Sequence, residues 1–200
     1  MLVDQQSSSW VAGIDEVGRG ALFGPVVAAA VILDSESEAF LTTAGVKDSK
    51  CLKASQREAL VTPIKDCSMS FAIGMASVHE IDRLNILKAS LLAMKRAVNR
   101  LSFLPTLCLV DGNQKIPALQ VPQETVIKGD QTSVSIAAAS ILAKVWRDEL
   151  IVRLDNRYPG YDLASNKGYG SARHREAIAR LGLSPQHRKS FRKGRQVVLR

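Results

Sequence analysis

Apolar residues follow two different spacings along this chain. Short runs rich in Val, Ile and Ala occur at residues 10–15, 25–33, 68–77, 106–110 and 124–127, and each run predicts a strand. Segments between them repeat apolar residues every three or four positions, which is typical of helices. Alternating strands and helices predict an α/β domain built on a largely buried central sheet.

Three helices are predicted from start signals followed by helical spacing. The first opens at Ser55, the serine of a capping-box pattern, and Pro63 either lies within it or shortens it. The second opens at Ser77, with a glutamate three residues later, and continues to about residue 100. The third starts at Asp130 and continues to about residue 154.

A glycine-rich turn separates the first two predicted strands. Gly18, Gly20 and Gly24 fall within seven residues, and glycine allows the chain to reverse tightly. We expect these strands to form a hairpin, so that the sheet contains both antiparallel and parallel pairs.

The net charge of this 200-residue chain is +8, and all of the excess lies near one end. Residues 1–165 contain 17 Lys and Arg against 18 Asp and Glu, whereas residues 166–200 contain 10 against 1. A neutral body with a basic end is expected of a protein that binds a polyanion. A tail that only aids solubility would show the same pattern.

The composition excludes other classes of protein. The longest charge-free stretches, residues 21–33 and 131–143, are shorter than the ~18–20 residues that cross a bilayer. The first residues lack the pattern of a secretion signal, so a cytoplasmic location is expected. Three cysteines without a C-x-x-C pair favour neither a disulfide framework nor a thiolate metal site.

Carboxylates mark the ends of three predicted elements. Asp15 and Glu16 close the first strand, Asp111 follows the fourth, and Asp130 opens the third helix. Each alone has an ordinary structural explanation, since Asp-Gly forms turns and Asp caps helices. Together they indicate a shared site, because sites in α/β folds form at the edge where strands end.

Four carboxylates at one edge would repel one another unless cations neutralised them. Oxygen ligands without His or Cys favour Mg²⁺ or Mn²⁺ over zinc. Neighbouring strand residues point to opposite faces, so Asp15 and Glu16 are expected to share a site only if the strand ends near Asp15. Two such ions ~4 Å apart are a known arrangement for hydrolysing a phosphodiester.

Several segments resemble the motifs of ribonuclease HII, in the same order along the chain. They are GIDEVGRG (13–20), GPVVAAAVI (24–32), KDSK (47–50), IDRLNI (81–86), LVDGN (109–113), KGD (128–130), SIAAASILAKVWRD (135–148), GYGSARH (168–174) and HRKSF (187–191). The matches extend from about residue 11 to 191, nearly the whole chain.

The resemblance implies a ribonuclease H-like fold, with a mixed five-stranded sheet flanked by helices and a small helical C-terminal part. Residues 1–165 would form the catalytic domain, and the basic residues 166–200 would pack on it.

The implied activity is hydrolysis of the RNA strand of RNA/DNA hybrids and incision at ribonucleotides embedded in duplex DNA, leaving 3′-hydroxyl and 5′-phosphate ends. Ribonuclease HIII shares the opening motif but carries an extra N-terminal domain, and the first strand here is predicted near residue 10. A monomer is expected.

The resemblance also implies roles for single residues. Those implied to bind Mn²⁺ or Mg²⁺ and to catalyse hydrolysis are Asp15, Glu16, Asp111 and Asp130. Those expected to bind substrate are Gly18, Arg19, Gly20, Lys47, Ser49, Lys50 and Tyr169.

In the family, the Gly-Arg-Gly turn and the tyrosine read the RNA-to-DNA junction, and the ring packs on the sugar that follows the ribonucleotide. Glycine suits this task because its backbone can approach a sugar closely. Lys47, Ser49 and Lys50 are expected to contact phosphates, although their segment could equally be a solvated approach to the helix at Ser55. Cys51 stands where the family pattern has lysine, which would weaken binding of the phosphate backbone slightly.

Three other polar residues have alternatives to a catalytic role. His174 and His187 would suit a general base, but two metal ions require none, so we expect both at the surface or on phosphates. Asp148 could be a fifth site carboxylate. Lys144, four residues earlier, predicts an ion pair with it instead.

Two other functions fit parts of this pattern. A non-catalytic nucleic-acid-binding protein would use the basic end but would need none of the four carboxylates. An actin-like or kinase-like ATPase would need a glycine-rich phosphate loop and a second matching domain, for which this chain is short.

Overall fold

The computed structural model describes residues 10–47 and 49–194. The strands are β1 (Val11–Val17), β2 (Val26–Ile32), β3 (Ser70–Ala76), β4 (Leu107–Asp111) and β5 (Gln123–Val126). The helices are α1 (Ser35–Thr43), α2 (Ala54–Cys67), α3 (Val78–Leu84), α4 (Ile86–Val98), α5 (Gly129–Thr132), α6 (Val134–Arg157), α7 (Leu163–Asn166) and α8 (Ala172–Leu181). Short 3-10 helices cover Ser49–Cys51 and Lys189–Gly194. Residue 48 of the KDSK motif and residues 195–200 of the basic end lie outside the described residues.

The five strands form one mixed sheet in the order β3-β2-β1-β4-β5. β1 pairs antiparallel with β2, and β2 pairs antiparallel with β3. β4 lies parallel to β1, and β5 lies parallel to β4. The predicted hairpin and the predicted mixed five-stranded sheet are therefore confirmed.

Two apolar cores cover the two faces of this sheet. In β2, Ala28 and Ala30 pack in the core on the α4 side, whereas Val27 and Ala29 pack in the core that contains α6. Because β2 is buried on both faces, its sequence is apolar without interruption.

Helix α6 lies directly against β1 because one position between them is a glycine. A Cβ at Gly13 would lie 2.2 Å from the carbonyl carbon of Ser135. This close approach brings the first turns of α6, including Ser140, under the end of β1, where the carboxylates lie.

The helix starts differ from the predictions. Helix α2 begins at Ala54, and the backbone N–H of Lys53 donates to Gln56 Oε1 at 2.8 Å, so the capping box predicted at Ser55 is wrong. Pro63 lies inside α2 without ending it. The capping box of Ser77 with Glu80 is confirmed.

Two predicted long helices are each divided. Asn85, with φ of 72°, separates α3 from α4, and its Oδ1 accepts from the Lys88 N–H at 3.1 Å. Asp130 lies in the short helix α5, whereas α6 starts after Ser133, whose Oγ accepts from the Ile136 N–H. In both cases a polar residue with non-helical backbone supplies a new N-cap, which apolar spacing alone does not reveal.

A third apolar cluster joins the C-terminal helices to the turn after β1. Phe23 packs with Ile151 of α6, Leu163 of α7, Ala177 of α8 and Tyr161. The part of the predicted basic extension that the structure describes is thus packed beside the glycine-rich turn.

Candidate active site

Asp15 and Asp111 lie side by side on neighbouring parallel strands. The register pairs Ile14 with Val110, so Asp15 and Asp111 occupy the next position on β1 and β4. Asp15 is 5% exposed, and its Oδ1 accepts a hydrogen bond from the Glu16 N–H at 2.6 Å. These two carboxylates form the centre of the predicted site at the sheet edge.

Asp130 is held near Asp111 by the start of α5. The N–H of Gly129 donates to Asp111 Oδ1 at 2.7 Å. A Cβ at Gly129 would lie 2.5 Å from Ile136 Cδ1 and 3.3 Å from Asp111 Oδ1, so the start of α5 packs closely against Asp111. Asp130 follows directly, is 3% exposed, and accepts a hydrogen bond from Lys50 Nζ at 3.0 Å.

Glu16 reaches the site from the opposite face of β1. The expectation that the strand ends near Asp15 is wrong, because pairing with β2 continues until Val17 lies opposite Val27. Asp15 and Glu16 therefore alternate across the sheet. The turn after Val17 brings Arg19 back, and Arg19 Nη1 lies 3.1 Å from Glu16 Oε1.

Burial, with added repulsion from neighbouring carboxylates, raises the pKa values of Asp15, Glu16 and Asp111. Burial raises the pKa of Asp15 from 3.8 to about 8, and the charges of Glu16 and Asp111 add to this effect. Burial also raises the pKa of Glu16, with a contribution from Asp111. The pKa of Asp111 is raised by burial and by the charge of Asp130. A cation among these groups would favour their ionised forms.

The donor set fits Mn²⁺ or Mg²⁺, because it consists of carboxylate oxygens. Within residues 10–47 and 49–194, however, no three His, Cys, Asp or Glu side chains are grouped closely enough to hold an ion as they stand. Glu16 is paired with Arg19, and Asp130 is paired with Lys50. Lys50 reaches Asp130 from solvent, with 79% of its side chain exposed, although Asp130 is buried. A divalent ion carries twice the charge of the ammonium and would compete with it for this carboxylate.

The Gly18-Arg19-Gly20 turn directly follows the carboxylates of β1. Gly18 has φ of +89°, and a Cβ there would lie 2.2 Å from Arg147 Nε. A Cβ at Gly20 would meet nothing within 4 Å, so the space beside this glycine is open. Arg19 and Gly20 are both exposed. The turn is therefore accessible to a ligand beside the site.

Tyr169 lies in a loop that is hydrogen-bonded to the residues directly after this turn. The N–H groups of Leu22 and Phe23 donate to the Gly168 carbonyl at 2.8 and 3.2 Å. The Tyr169 ring is partly exposed, and Lys144 Nζ lies 5.5 Å from its centroid. The structure thus brings together the turn and the tyrosine that the sequence singled out.

The segment at residues 47–50 contributes unequally. Lys47 is exposed, and Lys50 lies at the carboxylates. Ser49 is buried, and its Oγ lies 2.8 Å from Ser140 Oγ of α6. Ser49 therefore joins this segment to α6, while its contact with a phosphate stays a prediction. Cys51 is exposed and free.

The prediction for the two histidines is wrong. His174 is 0% and His187 is 1% exposed, and their Nε2 atoms lie 3.1 Å apart. Burial lowers the pKa of His174, and burial together with His174 lowers the pKa of His187 to about 4. Both are neutral core residues, because the apolar cluster around Phe23 encloses them. The predicted ion pair of Lys144 with Asp148 is confirmed at 2.9 Å.

Two buried arginines were not predicted as important. Arg147 donates to the carbonyls of Phe23, Pro25 and Lys167 at 3.0 to 3.1 Å. Arg188 donates to the carbonyls of Gly24 and Arg19 at 3.0 and 2.9 Å. Their positions in the WRD and HRK segments carry no signal of burial, since arginine is ordinarily exposed.

Among the described helices, none combines the length and the apolar character needed to cross a bilayer.

Comparison with known proteins gives a consistent result. The family model of ribonuclease HII matches residues 12–194. A ribonuclease HII from Acaryochloris marina is 65% identical over 92% of this chain and 93% of its own length. The crystal structure of ribonuclease H2 from Pyrococcus horikoshii superposes with a TM-score of 0.76 at 29% identity, over 92% of this chain and 96% of that one.

A further solved structure, that of Bst-RNase HIII in complex with Mn²⁺, superposes with a TM-score of 0.73 at 25% identity. It covers 88% of this chain and 63% of that chain. The fold is therefore that of ribonucleases HII and HIII, as predicted. This chain belongs to the ribonuclease HII family and is a type 2 ribonuclease H.

Proposed function

We propose that this protein hydrolyses the RNA strand of RNA/DNA hybrids and incises duplex DNA at single embedded ribonucleotides, leaving 3′-hydroxyl and 5′-phosphate ends. The observation that carries the proposal is the position of the Gly18-Arg19-Gly20 turn. It starts two residues after Glu16 of the carboxylate site, and the residues just after it, Leu22 and Phe23, donate hydrogen bonds to Gly168 in the loop of Tyr169. A site for cleavage and a surface for recognising a sugar are thus contiguous.

Asp15, Glu16, Asp111 and Asp130 would hold two Mn²⁺ or Mg²⁺ ions. The Mn²⁺ complex of the Bst-RNase HIII structure supports this choice of ion. When bound, the ions would supply a hydroxide nucleophile at neutral pH and neutralise charge that develops on the phosphate. Asp15 and Asp111 are already adjacent, whereas Glu16 and Asp130 would exchange their partners Arg19 and Lys50 for the ions.

Recognition would depend on groups of the protein itself. The open backbone of the turn at Gly20 would bond to a 2′-hydroxyl, which distinguishes RNA from DNA. The Tyr169 ring would pack on the next sugar and so require that sugar to lack bulk at its 2′ position. Arg19 and Lys50, released from Glu16 and Asp130, would then be available to bind phosphate oxygens.

The basic residues of the C-terminal part would bind the duplex backbone. Arg173, Arg175 and Arg180 of α8 are exposed, and Glu176 is the only acidic residue at positions 166–200. We further propose that residues 1–165 form the catalytic domain and that residues 166–200 form a basic extension that packs on it and adds contacts to the duplex backbone. We also propose that the protein acts as a monomer. A cytoplasmic location suits its DNA substrate.

An incision assay tests the proposal directly. A labelled DNA duplex with one ribonucleotide is incubated with the protein alone, with Mg²⁺ and with Mn²⁺, and the product ends are identified by their response to phosphatase and ligase. We expect metal-dependent incision at the ribonucleotide by wild type and by Asp66→Asn, a change of an exposed carboxylate in α2, but not by Asp111→Asn. Equal cleavage by Asp111→Asn, or ends bearing a 3′-phosphate, would contradict the proposal.

A further inference from the structure

Two consecutive buried residues, His187 and Arg188, connect the two elements that we assign to recognition: Arg188 bonds to the turn, and His187 bonds to His174, which bonds to the loop of Tyr169. Arg188 is 2% exposed, and its Nη1 donates to the Arg19 carbonyl at 2.9 Å, while its Nε donates to the Gly24 carbonyl at 3.0 Å. The guanidinium thus fixes both ends of the glycine-rich turn through backbone oxygens.

His187 reaches the loop of Tyr169 through His174. The N–H of Ser184 donates to His187 Nδ1 at 3.0 Å, so the proton of the neutral ring lies on Nε2. That N–H donates to His174 Nε2 at 3.1 Å. His174 consequently carries its proton on Nδ1 and donates it to the Tyr169 carbonyl at 2.8 Å. Each bond fixes the tautomer for the next, and the series ends on the tyrosine backbone.

The burial of Arg188 is costly for the fold. Its pKa is lowered to about 9 by burial and by the nearby charge of Arg147. Among the described residues, no carboxylate forms a salt bridge with either arginine. An apolar side chain of similar length would avoid this cost, because buried charges often contribute less stability than apolar replacements. Stability alone is therefore a poor explanation for a guanidinium at this place.

We propose that His187 and Arg188 are positioning residues that hold the Gly18-Arg19-Gly20 turn and the Tyr169 loop at a fixed separation, so that both engage one RNA-to-DNA junction together. This inference rests on the proposed function, since it assumes that these two elements read the junction. Neither residue touches the substrate. Both act through main-chain carbonyls, at Arg19 and at Tyr169.

The test compares two substrates for each variant. We define the discrimination ratio as kcat/KM on a DNA duplex with one ribonucleotide divided by kcat/KM on a uniform RNA/DNA hybrid. Arg188→Met keeps the apolar stem and removes both donated bonds, so the ratio should fall ~10-fold, with the larger part of the change in KM on the single-ribonucleotide duplex. Arg188→Lys should restore part of the ratio.

A second pair of variants does not depend on whether Arg188→Met folds. His174→Leu removes the bond to the Tyr169 carbonyl and should lower the ratio ~3- to 10-fold. His174→Asn places an amide donor near the position of Nδ1 and should return the ratio towards wild type. The matched control is Glu80→Gln, because Glu80 bonds to Ser77 and Arg96 and touches neither the turn nor the loop nor Arg188. Its ratio should equal that of wild type.

The outcomes separate the two proposals. Tyr169→Ala is measured alongside, and its ratio must fall if Tyr169 reads the junction. If the ratio falls in Tyr169→Ala but stays at wild type in folded Arg188→Met and in His174→Leu, the positioning role is overturned and the proposed function stands. If the Glu80→Gln ratio falls as far as that of His174→Leu, the effect is general loosening and the positioning role is likewise overturned. If Tyr169→Ala keeps the wild-type ratio, junction reading itself fails, and the positioning role with it.

Discussion

The ammonium group of Lys50 lies 3.0 Å from the carboxylate of Asp130, so a side-chain cation occupies a place that we assign to a metal ion. Lys50→Gln should therefore bind Mn²⁺ more tightly than wild type, by at least about 1.4- to fivefold, because the pair includes the buried Asp130 and is worth at least the ~0.2–1 kcal/mol of an exposed pair. Titration calorimetry without substrate measures this change. Lys53→Gln, a change of another exposed lysine three residues away, serves as the control. Weaker Mn²⁺ binding by Lys50→Gln would show that the lysine supports the site instead.

Asp15→Asn should abolish cleavage while leaving the protein folded. Loss of a metal ligand should cost ~3 kcal/mol or more of transition-state stabilisation, a decrease of at least about 100-fold in rate. The amide oxygen can still accept the Glu16 N–H, so β1 should remain intact. A rate above one tenth of wild type would contradict the role of Asp15 as a ligand. Asp66→Asn should cleave at the wild-type rate.

The same variant predicts a pH-dependent gain in stability. The folded-state pKa of Asp15 is raised from 3.8 to about 8, so the stability contributed by its protonated form is fully present below pH 3.8 and is lost as the pH rises through 8. Asn cannot ionise, so metal-free Asp15→Asn should melt higher than wild type at pH 8 to 9, and the difference should shrink towards pH 4. Thermal melts in buffer with a chelator measure it. A variant that is less stable than wild type at pH 9 would contradict this explanation.

The buried histidines predict the opposite pH dependence. The folded-state pKa of His187 is lowered to about 4 from 6.5, so the unfolded chain binds the extra proton between these values. Wild type should lose stability as the pH falls from 6.5 to 4. The free energy of unfolding should decrease by at most ~1.4 kcal/mol per pH unit for each buried histidine. His187→Gln should have a flatter profile over this interval, as measured by denaturant unfolding at several pH values. Equal slopes for both proteins would contradict neutral burial of His187.

The centre of the sheet was predictable because β2 is buried on both faces and its sequence is a continuous apolar run, while β3 and β4 alternate more and less buried positions. The Asp15 and Asp111 pair was predictable too, since strand ends meet at one edge. Helix starts at Ser133 and Lys53 were missed because they depend on backbone conformation at single residues. The burial of Arg147 and Arg188 could not be read from the sequence, because both arginines bond to main-chain carbonyls, which any residue type supplies. The carbonyls that Arg188 bonds are also more than 100 residues away along the chain.

The position of Arg188 also changes how the basic end must be tested. Truncation before residue 184 would remove the buried Ser184, His187 and Arg188, and so would damage the core along with the charge. Substitution of exposed positions avoids this. The triple variant Arg173→Gln, Arg175→Gln, Arg180→Gln in α8 should weaken binding of a hybrid and reduce the slope of log affinity against log salt by ~0.9 for each phosphate that these arginines neutralise in wild type. An unchanged slope would show that these charges only aid solubility.

The last prediction concerns the ring of Tyr169. The ring lies near Lys144 but is still partly exposed. Its exposed part is therefore available to pack on a sugar. Tyr169→Ala should lose ~10-fold or more in kcat/KM on a duplex with one ribonucleotide, because packing of the ring on the sugar is expected to be comparable to the ~1–3 kcal/mol of a base stacked on an aromatic ring. Tyr169→Phe should keep most of that activity if packing, and not the hydroxyl, matters.

On a uniform hybrid, Tyr169→Ala should lose less, since every bond there is followed by a 2′-hydroxyl and the ring has no junction to recognise. Mn²⁺ affinity should be unchanged in both variants, because the ring is not a ligand. Equal losses on the two substrates, together with weaker Mn²⁺ binding, would instead place Tyr169 among the residues that support the carboxylate site. The structure argues against that outcome, because the loop of Tyr169 bonds to residues 22 and 23 after the turn and the ring lies against Lys144, whose ammonium is paired with Asp148.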